Sequence, residues 1–290
     1  MQAPAFRISP VYDLLLRGTT AVPYGLYHLQ LATADQLTRL YYRAGTLTTV
    51  KARLKDLTDH GYIQADTIPT KRARSPYYYA MGQKGIRYLA DTGVDVSDAF
   101  RADKDTNRHS LFIEHTLELN DVLIAAIRLQ QADNRYHLEH FIHERILKRQ
   151  PYKVGEATLI PDAFLDFRFI RPDSKQLCIP ILLEHDRGTG EQHYFRRKIR
   201  AYIALLATEA YKELFGVQTV TVAITTFAGI SRLQQMYAWT QAELKERGQP
   251  NHIAGAFRLA SLTRPPDSRR LYLEPCWYTP ASSQPIALLA

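Results

Sequence analysis

Only two cysteines stand among the 290 residues, Cys178 and Cys276, far apart and in no CxxC pair. That excludes a zinc ribbon or a disulfide scaffold, and it suits a reducing cytosol. No stretch approaches the ~18 apolar residues needed to span a bilayer, so no membrane partner is expected. Met1 to Pro10 lacks an apolar core behind a basic end, which argues against a signal peptide. Internal repeats and low-complexity tracts are absent as well. Acidic residues are in deficit, 29 against 37 Lys and Arg, for a formal net charge of +8. A basic balance favours polyanionic partners, nucleic acid before acidic membrane.

What is present is enough apolar sequence, 46%, to pack a core, in a chain long enough for two domains. The first ~100 residues read as three helices, a hairpin and a helix. Helical apolar spacing runs through Tyr24 to Leu31 and Leu37 to Tyr42. Thr33 opens T-A-D-Q, a capping box in which Thr33 and Gln36 satisfy each other's backbone amides. From Leu47 to His60, Leu47, Val50, Leu54 and Leu57 recur at three- and four-residue steps and predict one buried stripe. Gly61 supplies the left-handed stop. Two β-like runs, Tyr62 to Ile68 and Tyr77 to Met81, flank the polar segment P-T-K-R-A-R-S-P. A helix over about Gln83 to Ala90 closes the unit, and Tyr77, Tyr78 and Tyr79 read as strand packing.

This order is that of a winged helix-turn-helix, with R-A-G-T joining its second and third helices. Burying the leucine stripe leaves Thr48, Thr49, Lys51, Ala52 and Lys55 outward, suited to base edges and phosphates of a major groove. Lys71, Arg72 and Arg74 at the hairpin tip suit backbone or minor-groove contact. From Gln36 to Tyr88 there are ten basic residues against three acidic, an excess of seven, most of the whole chain's surplus. The expected partner is double-stranded DNA. The alternative is a winged helix used for protein contacts, its basic wing merely solvated.

The polar stretch 101–108 reads as a linker, 109–264 as a second domain and 265–290 as an irregular, Pro-rich tail. A long helix over about His109 to Gln131 opens the second domain. Strand-like segments follow at Tyr136 to Ile142, Thr158 to Ile170, Leu177 to Leu183 and Thr219 to Thr226. Helices are expected over Gln192 to Thr208 and Ile230 to Glu246. Strands alternating with helices suggest an α/β layer, so the chain as a whole is α+β in two parts. Within it, I-P-D-A-F places Asp162 on a strand after Pro161, and L-E-H-D-R-G-T places Glu184 and Asp186 at a strand end. Period two puts Glu184 and Asp186 on one face. Converging carboxylates are the hard ligands Mg²⁺ takes, with Mn²⁺ as a substitute. A different outcome of the same residues is an ion-pair network of Glu184, Asp186, Arg187 and Lys198, with Asp162 a turn residue. Glu114 and Glu118, one turn apart on the long helix, read as exposed acids. His137, His140 and His143 resemble a metal run, but strand alternation sets His140 against the other two, which argues against zinc. His185 alternates away from Glu184.

Asp162 after a proline and Glu184 on the next strand resemble the PD-(D/E)XK nuclease signature, as does the layout helix, three strands, helix, strand. More narrowly, the chain resembles the replication-relaxation family of bacterial plasmids and mobile elements. The matching features are the N-terminal winged helix, R-H-S-L-F-I-E-H-T-L-E-L-N-D-V at 108–122, P-D-A at 161–163, L-E-H-D-R-G-T at 183–189 and K-I-R-A-Y at 198–202. They cover about Leu29 to Tyr202. The resemblance implies DNA binding in replication, relaxation or mobilisation, with Asp162, Glu184 and Asp186 as Mg²⁺ ligands of a phosphodiester-cutting domain. Replication or mobilisation proteins and a second copy of the chain are further expected partners. One departure stands out: the nuclease pattern wants lysine two residues after the glutamate, where this chain has Asp186. Lys198 on the following helix, or Arg187, can supply that charge. Otherwise the second domain is a degenerate nuclease fold of a non-catalytic regulator, used for dimer or partner contact.

Overall fold

The computed structural model describes residues 19–68, 76–100, 110–149, 151–154 and 157–289. The hairpin tip with Lys71, Arg72 and Arg74 lies outside the described residues, as does the 101–108 linker. The chain divides into two compact units between Arg128 and Leu129, each mixing helix and sheet. Among the described residues no helix is long and apolar enough to cross a membrane.

The first unit runs α1 (Val22–Leu29), β1 (Leu31–Thr33), α2 (Ala34–Tyr41), α3 (Leu47–Asp59), β2 (Ile63–Thr67), β3 (Tyr77–Met81) and α4 (Gln83–Asp91). It also takes most of α5 (Ser110–Ala132). Its antiparallel sheet has the order β1-β3-β2, with Leu31 opposite Ala80 and Ile63 opposite Met81. The capping box is formed: Thr33 Oγ1 accepts from the Gln36 amide at 3.2 Å, and Gln36 Oε1 accepts from the Thr33 amide at 3.0 Å. α3 ends in a Schellman turn. Gly61 has φ +77°, its amide donates to Thr58, and the Tyr62 amide donates to Leu57. α1 and α2 meet at Gly25, where a Cβ would lie 2.5 Å from the Tyr41 hydroxyl. The expected α3 stripe is narrower than its spacing suggests. Val50 and Leu54 are fully buried, whereas Leu47 and Leu57, near the helix ends, are only half-buried.

The sequence set the break at 101–108 and gave the long helix to the second domain. By packing, α5 up to Arg128 belongs with the first unit. Asn120 Nδ2 donates to the carbonyls of Leu29 and Leu31, at 3.0 and 2.6 Å. Gln36 Nε2 donates to Leu117 O at 2.6 Å and to Asp121 Oδ1 at 2.9 Å. Arg39 reaches the same Asp121 oxygen. Ile113 and Leu117 add the apolar part, against Leu31, Tyr78 and Ala80.

The second unit contains β4 (Tyr136–His143), the small β5–β6 ribbon (Tyr152–Val154, Ala157–Leu159), β7 (Ala163–Ile170), β8 (Gln176–Asp186), α6 (Gln192–Ala207), β9 (Thr221–Thr226), α7 (Ile230–Glu246) and β10 (Phe257–Ser261). Its sheet has the order β10-β9-β8-β7-β4. β4, β7 and β8 form an antiparallel meander. β9 and β10 then add in parallel, each reached through one of the two long helices. Leu182, Val222, Ile224, Phe257 and Leu259 pack with Ile199, Tyr202 and Ile203 of α6 and Leu233 and Met236 of α7. Each such side chain contributes roughly 1.5–3 kcal/mol by burial. Glu184 follows Leu182 by two residues and so shares that helix-covered face.

Three sequence expectations change here. The single strand expected over Thr158 to Ile170 is broken, and Asp162 stands in a bend just before β7 instead of within it. β4 carries a bulge between Leu138 and His140, with His137 opposite Arg168 and His140 opposite Asp166. The extra residue resets the alternation, so His137 and His140 share a face and His143 opposes them. The tail expected to be irregular holds a helix at Ser268–Leu273 and buries Tyr272, Trp277 and Leu289. Its packing comes from isolated large anchors, which leave no periodic signal.

Candidate functional site

Asp162 is fixed by its backbone before its side chain is considered. Its amide donates to Leu183 O at 3.1 Å, and its carbonyl accepts from the Glu144 amide at 2.9 Å. The pairing of Ala163 with Leu183 sets Asp162 beside Glu184 at the neighbouring strand end. Asp162 Oδ2 accepts the His185 amide at 2.7 Å. Both carboxylates are buried, at 7% and 5% exposure.

Lys198, in the second turn of α6, reaches both. Its ammonium donates to Glu184 Oε2 and lies 3.7 Å from Asp162 Oδ1. One turn further, the Tyr202 hydroxyl donates to Glu184 Oε1. Two acids therefore share one base. Burial first, then the Asp162 charge, pushes the Glu184 carboxyl up to about 8, against the opposing pull of Lys198 and Tyr202. Burial works to lower the Lys198 ammonium, but Asp162, Glu184 and the more distant Glu144 outweigh it and hold it above the ordinary lysine range. The Tyr202 phenol is pushed well up by burial and by Glu184. Glu184, Asp186, Phe195, Lys198 and Tyr202 line one depression.

Of the expected residues, Asp162, Glu184 and Lys198 come together. Asp186 lines the same depression, but its carboxylate is engaged elsewhere. Arg232 donates to its two oxygens at 2.7 and 2.9 Å, and the Gly188 amide donates at 2.7 Å. Among the described residues no group of three or more His, Cys, Asp or Glu is arranged to hold a metal. Two hard carboxylates remain, with the rest of a coordination shell to come from water, and that donor set fits Mg²⁺. His185 is buried on the opposite face, its Nδ1 3.0 Å from Thr225 Oγ1. His140 pairs with Asp166 at 3.4 Å.

On the first unit, Thr48, Thr49, Lys51, Ala52 and Lys55 are all exposed along one side of α3. Lys55 pairs with Asp59 at 2.5 Å in an exposed contact. The Arg53 guanidinium lies over Tyr42, 5.9 Å from the ring centre.

Sequence reasoning missed Tyr202 and Glu144. The four-residue step from Lys198 to Tyr202 was the available signal for the first. For Glu144 there was none, because its place depends on a backbone bond to Asp162. A family model described as replication-relaxation matches residues 24–221, a span that includes α3, Asp162, Glu184, Lys198 and Tyr202. No curated protein and no solved structure matches the chain.

Proposed function

The chain belongs to the replication-relaxation family, and we propose that it is a DNA-binding protein of plasmid or mobile-element replication that cuts a phosphodiester in its second unit. In this reading the first unit is a winged helix-turn-helix and the second a PD-(D/E)XK-type domain. Support for the first is the order helix, strand, helix, helix and hairpin with an exposed hydroxyl- and lysine-bearing α3. Support for the second is a meander followed by a helical crossover to a parallel strand.

The observation that carries the catalytic part is the meeting of Asp162, Glu184 and Lys198. Asp162 and Glu184 would hold Mg²⁺, which when bound supplies an activated water and offsets phosphoryl charge. Lys198 provides from α6 the positive charge that position 186 does not, facing a phosphate oxygen or orienting the attacking water. Tyr202 holds the Glu184 carboxylate in one orientation. Asp186 belongs, through Arg232, to the support of the loop that follows β8.

Supercoiled plasmid incubated with the protein and Mg²⁺ should be nicked. Asp162→Ala and Glu184→Gln should abolish nicking with duplex affinity nearly intact. Lys198→Ala should slow it at least tenfold. A wild-type chain that takes up neither Mg²⁺ nor Mn²⁺ in calorimetry and leaves supercoiled, linear and single-stranded DNA whole defeats the enzyme reading. One observation favours that second reading, a non-catalytic regulator: both Glu184 oxygens already accept hydrogen bonds, from Lys198 and Tyr202.

A further inference from the structure

Tyr194, Lys198 and Tyr202 follow one another at four-residue steps along α6 and so share one side of it. The line runs from solvent to core: Tyr194 is 54% exposed, Lys198 partly so, Tyr202 fully buried. The lower two members serve Glu184. Tyr194 stands on the surface instead, as only Tyr77 and Tyr278 do among the large aromatics of the described residues. The Arg197 guanidinium lies 5.3 Å from the Tyr194 ring centre, and the exposed His193 ring, 3.8 Å from it, stands 3.3 Å from Glu191.

An exposed aromatic ring beside a guanidinium, one helical turn along α6 from the lysine of a phosphate site, matches how nucleotides are held. The phosphate meets charge and the base meets a flat ring. Bases inside a duplex already stack on each other and cannot lie on a protein ring; an unpaired nucleotide can. We propose that the Asp162–Glu184–Lys198 site takes single-stranded DNA, with one base stacked on Tyr194 and Arg197 turning from that ring to a neighbouring phosphate. An exposed cation–π contact is weak enough to be exchanged in this way. The proposal rests on the phosphodiester reading of the site, and it names the substrate as a strand already opened.

The test is equilibrium binding of the full chain to oligothymidine and to a blunt duplex hairpin, in chelator so that nothing is cut. Tyr194→Ala should weaken oligothymidine binding by about 5- to 150-fold, the range for losing one stacked base. Tyr194→Trp should keep it, and duplex affinity should not change in either variant. A 2-aminopurine in the strand should be quenched by wild type and not by Tyr194→Ala. Wild-type strand affinity in Tyr194→Ala overturns the proposal, as does equal loss in the Trp variant. Because cleavage is not read, a chain that stacks the base but never cuts defeats the enzyme reading alone. A chain that cuts yet is indifferent to Tyr194 defeats this inference alone.

Discussion

Around Asp121 one carboxylate meets two donors, Gln36 and Arg39. Around Glu184 two carboxylates share one ammonium. Asp121 and Glu184 are almost equally buried, at 1% and 5% exposure, so burial does not distinguish the clusters. Charge balance does. The Asp121 cluster sets two donors, Gln36 and Arg39, on one buried carboxylate, the second acid on Arg39, Asp35, being exposed, and its product is attachment of α5 to α2. The Glu184 cluster gathers like charge out of water, an arrangement that costs stability unless something else is gained. A carboxyl held back from ionising next to a depression is how a fold reserves a place for a cation or a reacting group.

Removing the balanced cluster should have the largest effect. Asp121→Ala should lower stability by about 3 kcal/mol, near the lower end for breaking a buried pair because Asp35 still meets Arg39 at 2.9 Å. Urea denaturation measures this, and a loss under about 1 kcal/mol would mean that the attachment is held by the Ile113 and Leu117 contacts instead.

pH should separate the clusters next. The Glu184 carboxyl is raised from 4.5 to about 8 in the folded chain. Between those values the folded state keeps a proton that the unfolded state has released. Stability from this group is therefore full below about pH 4.5 and is lost as pH rises toward 8, with a slope of at most about 1.4 kcal/mol per unit. Lys198 is raised above the ordinary lysine range and contributes a constant amount across that window. Glu184→Gln should flatten the profile, and an unchanged slope would assign it to another group.

A position outside both clusters provides the control. Thr49→Ala on the exposed side of α3 should cost about 1 kcal/mol of discrimination at one base of a selected site and leave stability unchanged. Random-sequence selection that returns no motif would reduce α3 to backbone binding. The smallest effect is the most telling. Glu184→Gln should change stability at pH 4.5 by under about 1 kcal/mol, because the amide replaces a carboxyl that carries its proton there in the folded chain. A cost matching that of Asp121→Ala would make the two clusters alike and remove the argument for a reserved site.

Where structure is local, it was readable. α3, α6 and α7 stand within a residue of their expected spans because their apolar spacing and end signals act over one or two turns. The capping box at Thr33 and the stop at Gly61 are of the same kind. Asp162, Glu184 and Lys198 could be named because each sits at a strand end or one turn into a helix. Asn120, Asp121 and Gln36 were unreadable as a set, since their partners lie more than eighty residues away. β10 was missed because a short apolar run carries no period of its own, and Trp277 because a lone anchor predicts no element. The histidine alternation failed through one inserted residue.

That inserted residue bears on more than the histidines. The ladder of β4 runs on past the bulge at Leu138–His140, down to the pairing of His143 with Ala163 and the Glu144 amide that holds the Asp162 carbonyl. The bulge therefore absorbs one extra residue without moving the pairs on either side of it. Replacing Glu139 changes a salt bridge with Arg168. Deleting it would set Leu138 and His140 side by side opposite Phe167 and Asp166, a regular ladder that keeps His143 on Ala163 and the Glu144 amide on the Asp162 carbonyl.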